Sequence, residues 1–283
     1  MEVGKKFADL ESYNQQMAKG LQDKLFFLEH LPEKKRFLFV DFGCADGTLI
    51  DALYHILNEN NEFIGYDVSR QMVDIARTKI SEMSDRITFT SNWDYVSQKL
   101  KMTKKVKVLV LSSVIHEVYS YAFEGDIEMF WKRVLESGFD YICVRDMMTS
   151  ADTQLTTVPE WQNNITMNYH RFMTQPRYEQ FVQKWGDVSN LKSFLHFLLK
   201  YRWQINWDRE VNENYFPIDI EDFLSYFEEG YNLSYFKRFR VPFLEECIYK
   251  DFGVKFDDRS SELYNDFTHV KMVFSKKHKY STI

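Results

Sequence analysis

Cysteine is scarce in this sequence: Cys44, Cys143 and Cys247 are its three, about a hundred residues apart, and no two form a C-x-x-C pair. That spacing fits neither a disulfide framework nor a zinc site, and a reducing, cytoplasmic setting is expected. Positive charge is also in deficit, with 36 Lys and Arg against 42 Asp and Glu and a net charge of −6. No global field draws such a chain to nucleic acid or to an anionic membrane. Long apolar runs are missing. Nothing approaches the roughly 18 residues that a spanning helix needs, and the opening Met1-Glu-Val-Gly-Lys-Lys6 has no apolar signal core, so a soluble protein with no membrane partner is expected. Internal repeats and low-complexity tracts are absent as well.

What is present is a core. With 283 residues, 45% hydrophobic and 17% aromatic, the chain has the material for one large or two small folded domains. From Leu10 to Leu31 apolar positions recur at helical spacing until Pro32 stops them. Short apolar runs then alternate with helical segments. Strands are expected at 37–40, 62–66, 87–90, 106–111 and 141–144, and helices at 48–57, 69–80 and 127–135, with Thr48 and Asp51 spaced like a capping box. Strands separated by helices imply crossover connections, hence a doubly wound α/β fold with a mostly parallel sheet. After Asp146 the sequence turns polar-aromatic and helical, without a strand-like run up to Glu213. A helix at 220–227 and strands at 231–241 and 270–274 then return the chain to the sheet. The expected organisation is an N-terminal helical cap (1–35), an α/β core (36–148), a helical insertion acting as a lid and acceptor pocket (149–215), and completion of the core (216–283).

The segment Phe37-Leu-Phe-Val-Asp41-Phe-Gly43-Cys44-Ala45-Asp-Gly47-Thr48 joins the first strand to the first crossover helix. Ligands of open α/β sheets bind beyond the carboxyl ends of the strands, where glycines let the backbone approach them. A phosphate loop needs G-x-x-x-x-G-K-[ST], which this segment lacks. A dinucleotide turn needs glycine at its first, third and sixth positions, and here those are Gly43, Ala45 and Thr48.

The pattern Asp41-x-Gly43-x-Ala45-x-Gly47 resembles the first motif of class I (Rossmann-like) S-adenosylmethionine-dependent methyltransferases, with Ala45 at the middle glycine. The resemblance implies a seven-stranded sheet and S-adenosyl-L-methionine as cofactor. It places Asp41, Gly43, Cys44, Ala45 and Gly47 around the cofactor's amino-acid end, and it places Asp67, at the end of the next strand, on the ribose hydroxyls. It also implies that Val68 and Met72 line the adenine, that Asn92 contacts the adenine amino group with Trp93 packed on the base, and that Ser112 lies beneath the sulfonium. Met17 and Lys19 of the N-terminal helix would close over the cofactor.

His116-Glu117 follows the fourth strand. Ser120 stands where a second zinc-binding histidine would be, so the pair is not the H-E-x-x-H motif, and no metal is expected. At the end of a central strand the pair reads either as catalytic, with His116 removing the acceptor's proton and Glu117 orienting the ring, or as a structural histidine. The expected function is methyl transfer to O or N of a small-molecule acceptor, favoured by the 10 Lys or Arg against 12 Asp or Glu from Ala151 to Arg240. Two alternatives stand beside it. One is RNA methylation, with aromatic and basic residues at 201–209 and 237–240, and the other is cofactor binding without turnover by a partner or sensor protein.

Overall fold

Phe37–Phe42 (β1) carries one polar residue, Asp41, and is buried along its whole length, the mark of a strand covered on both faces. The computed structural model describes residues 20–80, 84–153, 156–256 and 265–277. Ahead of β1 lie a helical turn, Leu21–Lys24 (α1), and a 3₁₀ segment, Phe26–His30. Met17 and Lys19 lie outside the described residues. After β1 the expected alternation appears: Thr48–Ile56 (α2), Glu62–Tyr66 (β2), Arg70–Lys79 (α3), Ile87–Thr90 (β3), Trp93–Met102 (α4), Val106–Ser112 (β4), Ile115–Tyr121 (α5), Glu124–Glu136 (α6) and Tyr141–Met147 (β5). Helices Pro159–Asn168 (α7), Gln175–Trp185 (α8), Leu191–Lys200 (α9) and Trp207–Glu210 (α10) follow. Then come Ile220–Ser225 (α11), Tyr231–Phe239 (β6), Pro242–Phe252 (α12) and His269–Lys276 (β7).

The strands form one seven-stranded sheet in the order β3-β2-β1-β4-β5-β7-β6. β1 to β5 are mutually parallel, and β7 runs antiparallel to both of its neighbours, as in class I methyltransferases. Because successive strand residues point to opposite faces, β1 divides its side chains between two cores. Leu38, Val40 and Phe42 join Leu109, Leu111, Val144 and Met272 in a cluster closed by α4, α5, α6 and α11. Phe37 and Phe39 join Phe63, Val108, Val110 and Phe27 in another closed by α2, α3 and the 3₁₀ segment. A third cluster belongs to the helical region and packs Trp161, Phe181, Phe194 and Trp207 together with Ile248 and Phe252 of α12. α12 therefore serves the helical layer, although it sits in the chain between the last two sheet strands.

Two local expectations change. The capping box of Thr48 and Asp51 does not form: Gly47 is the N-cap of α2, and the Thr48 hydroxyl donates to Asp46 Oδ1 at 2.7 Å. The left-handed turn at Gly47 carries the chain into the helix one residue before Thr48, so Thr48 enters the first turn itself. His116 and Glu117 stand in the first turn of α5 rather than on the strand, because β4 ends at Ser112 and the chain turns through Ser113 at φ 57°. Among the described residues no helix is long and apolar enough to cross a membrane, and no group of His, Cys, Asp and Glu is placed to hold a metal ion.

The turn after β1 rests on an aromatic side chain. A Cβ at Gly65 would lie 2.4 Å from Phe89 Cδ1 and 3.0 Å from Cys44 Sγ. Gly65→Ala is expected to lower unfolding free energy by about 1–3 kcal/mol through overpacking, measured by urea denaturation. A cost under about 0.5 kcal/mol would show that Phe89 moves aside freely.

Candidate functional site

The turn from Asp41 to Gly47 is held against β2 by its own backbone. The amides of Gly43 and Cys44 both donate to Tyr66 O, at 2.7 and 3.0 Å, and Gly47 N donates to Cys44 O at 2.9 Å. Gly43 and Gly47 both adopt φ 79°. A Cβ at Gly43 would also lie 2.6 Å from Val114 Cγ2, so the turn packs directly on the loop between β4 and α5. Across the turn, Asp67 Oδ2 accepts from Ala45 N at 3.0 Å and Oδ1 from Ser69 N at 2.8 Å. Each oxygen retains a second lone pair. Burial and the nearby Glu117 raise the Asp67 pKa to about 6, against the lowering effect of the two amides.

Asp41 is buried beneath the turn, and its carboxylate has no hydrogen-bond partner among the described residues. Burial pushes its pKa up to about 7; Lys24 opposes the shift, while Asp67 and Asp46 add to it. Lys24 is in turn lowered to about 8 by burial and by Arg145, with Asp41 and Asp46 pulling the other way. Its helical turn, α1, is fastened over the site by Asp23, which accepts from Arg145 Nε at 2.7 Å and pairs with Lys271. Lys24 was not singled out in the sequence. The apolar spacing of the N-terminal helix gives no sign of which lysine reaches the turn.

The other half of the site forms where β5 meets α5. His116 Nδ1 lies 2.6 Å from Asp146 Oδ1, with His116 5% and Asp146 0% exposed. Asp146 also accepts from the amides of Val114 (2.9 Å), Ile115 (2.7 Å) and Met147 (2.8 Å). Burial disfavours the charged imidazole, but the carboxylate of Asp146, with Glu213 and Glu117 beyond it, outweighs burial and raises the His116 pKa. Asp146, not Glu117, therefore orients the ring. Glu117 instead pairs with Arg209 Nη2 at 2.8 Å. Arg209 pairs with Glu213 at 2.6 Å, Tyr121 Oη donates to Glu213 at 2.9 Å, and Tyr215 stands edge-on to His116 with ring centroids 5.5 Å apart. The signal for Asp146 was in the sequence: like Asp41 and Asp67, it is an acid at the carboxyl end of an apolar run.

The remaining expected residues divide. Val68 and Met72 are half-buried beside Asp67. The Ser112 hydroxyl is buried at the end of β4 with no partner among the described residues. Asn92 is exposed, and its side-chain oxygen caps α4 by accepting from Asp94 N at 2.9 Å. Trp93 packs against Phe42 and Tyr66, under Arg133. The Cys44 side chain points into the core, where burial pushes its thiol pKa up. Of the residues weighed as an RNA platform, Tyr201 and Trp207 are core residues, Arg202 pairs with Asp251, and Arg240 pairs with Glu245 and Asp266.

No protein-family model matches the sequence, and no curated protein matches it. Solved structures with similar folds include the plantazolicin methyltransferase BamL in complex with a triazolic desmethylPZN analog and SAH. It is 11% identical, with 95% of this chain and 87% of that chain covered and a TM-score of 0.47. The pyocyanin biosynthetic protein PhzM is 11% identical, with 98% and 63% covered and a TM-score of 0.49. The small RNA methyltransferase HEN1 is 13% identical, with 99% and 27% covered and a TM-score of 0.43. At these identities and TM-scores the likeness carries no argument about function, which rests on the chain's own residues.

The buried charge at Asp41 has a pH signature. A carboxyl raised from 3.8 to about 7 takes up protons on folding between those values, so it lowers stability progressively as pH rises through that window. Asp41→Asn removes this loss. Without added ligand, the variant is expected to gain on the order of 2 kcal/mol relative to the parent at pH 8 compared with pH 4.5. Parallel stability–pH curves from chemical denaturation would refute the shift.

Proposed function

We propose that the chain is an S-adenosyl-L-methionine-dependent methyltransferase acting on O or N of a small-molecule acceptor. The observation that carries this reading is the pair of carboxylates facing one glycine turn. Asp41 is buried without a hydrogen-bond donor among the described residues, and Asp67 keeps a lone pair on each oxygen. A buried carboxylate lacking a donor fits an ammonium group, and one with two available lone pairs fits adjacent hydroxyls. An amino acid tail joined to a ribose carries both, and Lys24 suits the carboxylate of that tail. Gly43 and Ala45 bring backbone close to such a ligand, and Val68 and Met72 offer apolar surface to its base.

The cofactor supplies a methyl group on a positively charged sulfur, open to in-line attack. The protein's part is to position the acceptor and remove its proton. With Asp146 accepting the Nδ1 proton, the lone pair of neutral His116 stands on Nε2, which has no hydrogen-bond partner among the described residues. The raised pKa sets the sign of the pH dependence: turnover rises as pH climbs through the His116 value and the ring loses its proton. The helical layer approaches the same helix through Arg209–Glu117, Tyr121–Glu213 and Asn214 N to Ser120 Oγ at 2.8 Å. That supports residues 149–215 as the acceptor-side cover, excluding water from the reacting groups. The buried or ion-paired state of Tyr201, Trp207, Arg202 and Arg240 favours a small acceptor over RNA.

Asp67→Ala is expected to weaken binding of S-adenosylmethionine and its demethylated product by about 1.5–3 kcal/mol in titration calorimetry, and unchanged affinity would remove the ribose assignment. His116→Ala should leave cofactor affinity nearly intact while lowering transfer of labelled methyl to acceptors in a small-molecule extract by about 10²–10⁴-fold. Asp146→Asn should act in the same direction. A His116 variant that is less stable, yet turns over normally per folded molecule, would make the histidine structural.

A further inference from the structure

Asp41 and Lys24 are a split pair. They stand near enough to shift one another, yet no ion pair joins them among the described residues. Asp41 is 3% exposed. Its neighbours across the ladder, Gly65 of β2 and Val110 of β4, offer it no polar side chain. Four amides of the turn are engaged elsewhere: Gly43 N and Cys44 N donate to Tyr66 O, Ala45 N to Asp67 Oδ2 and Gly47 N to Cys44 O. Asp46, in the same turn, has Lys79 Nζ at 2.7 Å and the Thr48 hydroxyl at 2.7 Å, whereas Asp41 has no such partner. The charged groups acting on Asp41 are Lys24 from α1, Asp67 after β2 and Asp46, and of these only Lys24 favours its anion. A buried carboxyl in such a frame stays neutral by keeping its proton.

We infer, on the basis of the cofactor proposed above, that Asp41 carries a proton in the free protein and gives it up when the amino-acid tail enters between Asp41 and Lys24, so that loading the tail releases a proton to solvent. In the exchange the O–H bond of the Asp41 carboxyl breaks and its proton passes to the buffer. The tail's ammonium keeps its hydrogens and donates one to the new carboxylate, while the tail's own carboxylate meets the Lys24 ammonium. Lys24 does not cancel the release. Burial and Arg145 lower it to about 8 against the pull of Asp41, Asp46 and Asp23, so below that value it is protonated before the tail arrives. As pH falls through the Asp41 value, about 7 as set by burial, the tail must displace a proton that is held more firmly. Cofactor loading is thereby made sensitive to acidification near neutrality.

The test is titration calorimetry of the full chain at about pH 6 in phosphate and in imidazole buffer, where the dependence of the heat on the buffer counts the protons released. Two neutral thioethers are compared: S-adenosylhomocysteine, and methylthioadenosine, which is the same nucleoside without the amino-acid tail. Any proton that leaves Asp67 on the ribose, or His116 beside the sulfur, is common to both ligands. The tail-bearing ligand is expected to release about one proton more than the other, and the ratio of their affinities to fall about tenfold per pH unit below about pH 6. Asp41→Asn should remove both the excess and the slope. The comparison of parent with Asp41→Asn needs only S-adenosylhomocysteine, and the comparison of the two ligands needs only the parent, so either one decides. Equal proton counts for the two ligands, an affinity ratio indifferent to pH, or an excess that survives Asp41→Asn would overturn the inference and leave cofactor binding standing. If neither ligand binds, the cofactor assignment itself fails and the inference falls with it.

Discussion

Asp146 is the constraint on which the site depends. Its carboxylate is fully buried, and it is affordable there because four donors converge on it: the amides of Val114, Ile115 and Met147 and the imidazole of His116. Two of those amides begin α5, whose own N-cap residue, Val114, offers no side-chain cap. The helix is thus capped from the neighbouring strand. The same anchorage presses Val114 against Gly43, which forbids a side chain there, and it holds Ser113 in its left-handed turn, where the Ser113 hydroxyl receives Arg145 Nη1 at 3.1 Å. The glycine turn, the strained serine and the histidine are three results of one buried acid.

Charge around this centre is arranged by burial more than by exposure to solvent. Asp41 and Lys24 stand near enough to shift one another, each displaced toward its neutral form by loss of water. His116 moves the other way because its partner is at hydrogen-bond distance, so direct contact outweighs desolvation. A second buried network lies behind Tyr215. There Lys200, lowered to about 7 by burial, meets the Tyr215 ring, and Tyr215 in turn donates to Glu210. This network is internal to the helical layer, and the Tyr215 ring carries it to His116 of α5.

The sheet was legible because its strands are short, largely apolar runs ended by small or polar residues: Phe37–Phe42, Glu62–Tyr66 and Ile87–Thr90 fall where the pattern puts them. The pair Asp41 and Asp67 was legible for the same reason. Helices α4, α5 and α12 were not, since each begins within a few residues of a strand and its few apolar positions blend with the run before it. The partner of His116 was missed because proximity in sequence pointed to Glu117, whereas the contact is made across the sheet by a residue thirty positions away. Lys24 was missed because the apolar spacing of its segment marks the packed face and gives no periodic sign of the one lysine buried near Asp41.

The membership of α12 in the helical cluster restricts how that layer can move. The layer leaves the sheet after β5 and rejoins it through α11, and it is also stitched at Ile248 and Phe252 to a helix that starts three residues after β6. A door swinging on two hinges would tear Phe252 from Tyr201 and Phe172, rings it meets at 4.8 and 5.0 Å. Helices packed in this way move by sliding over one another by a fraction of a side chain's width, a shear whose amplitude is limited by how far packed rings can slip while staying in contact.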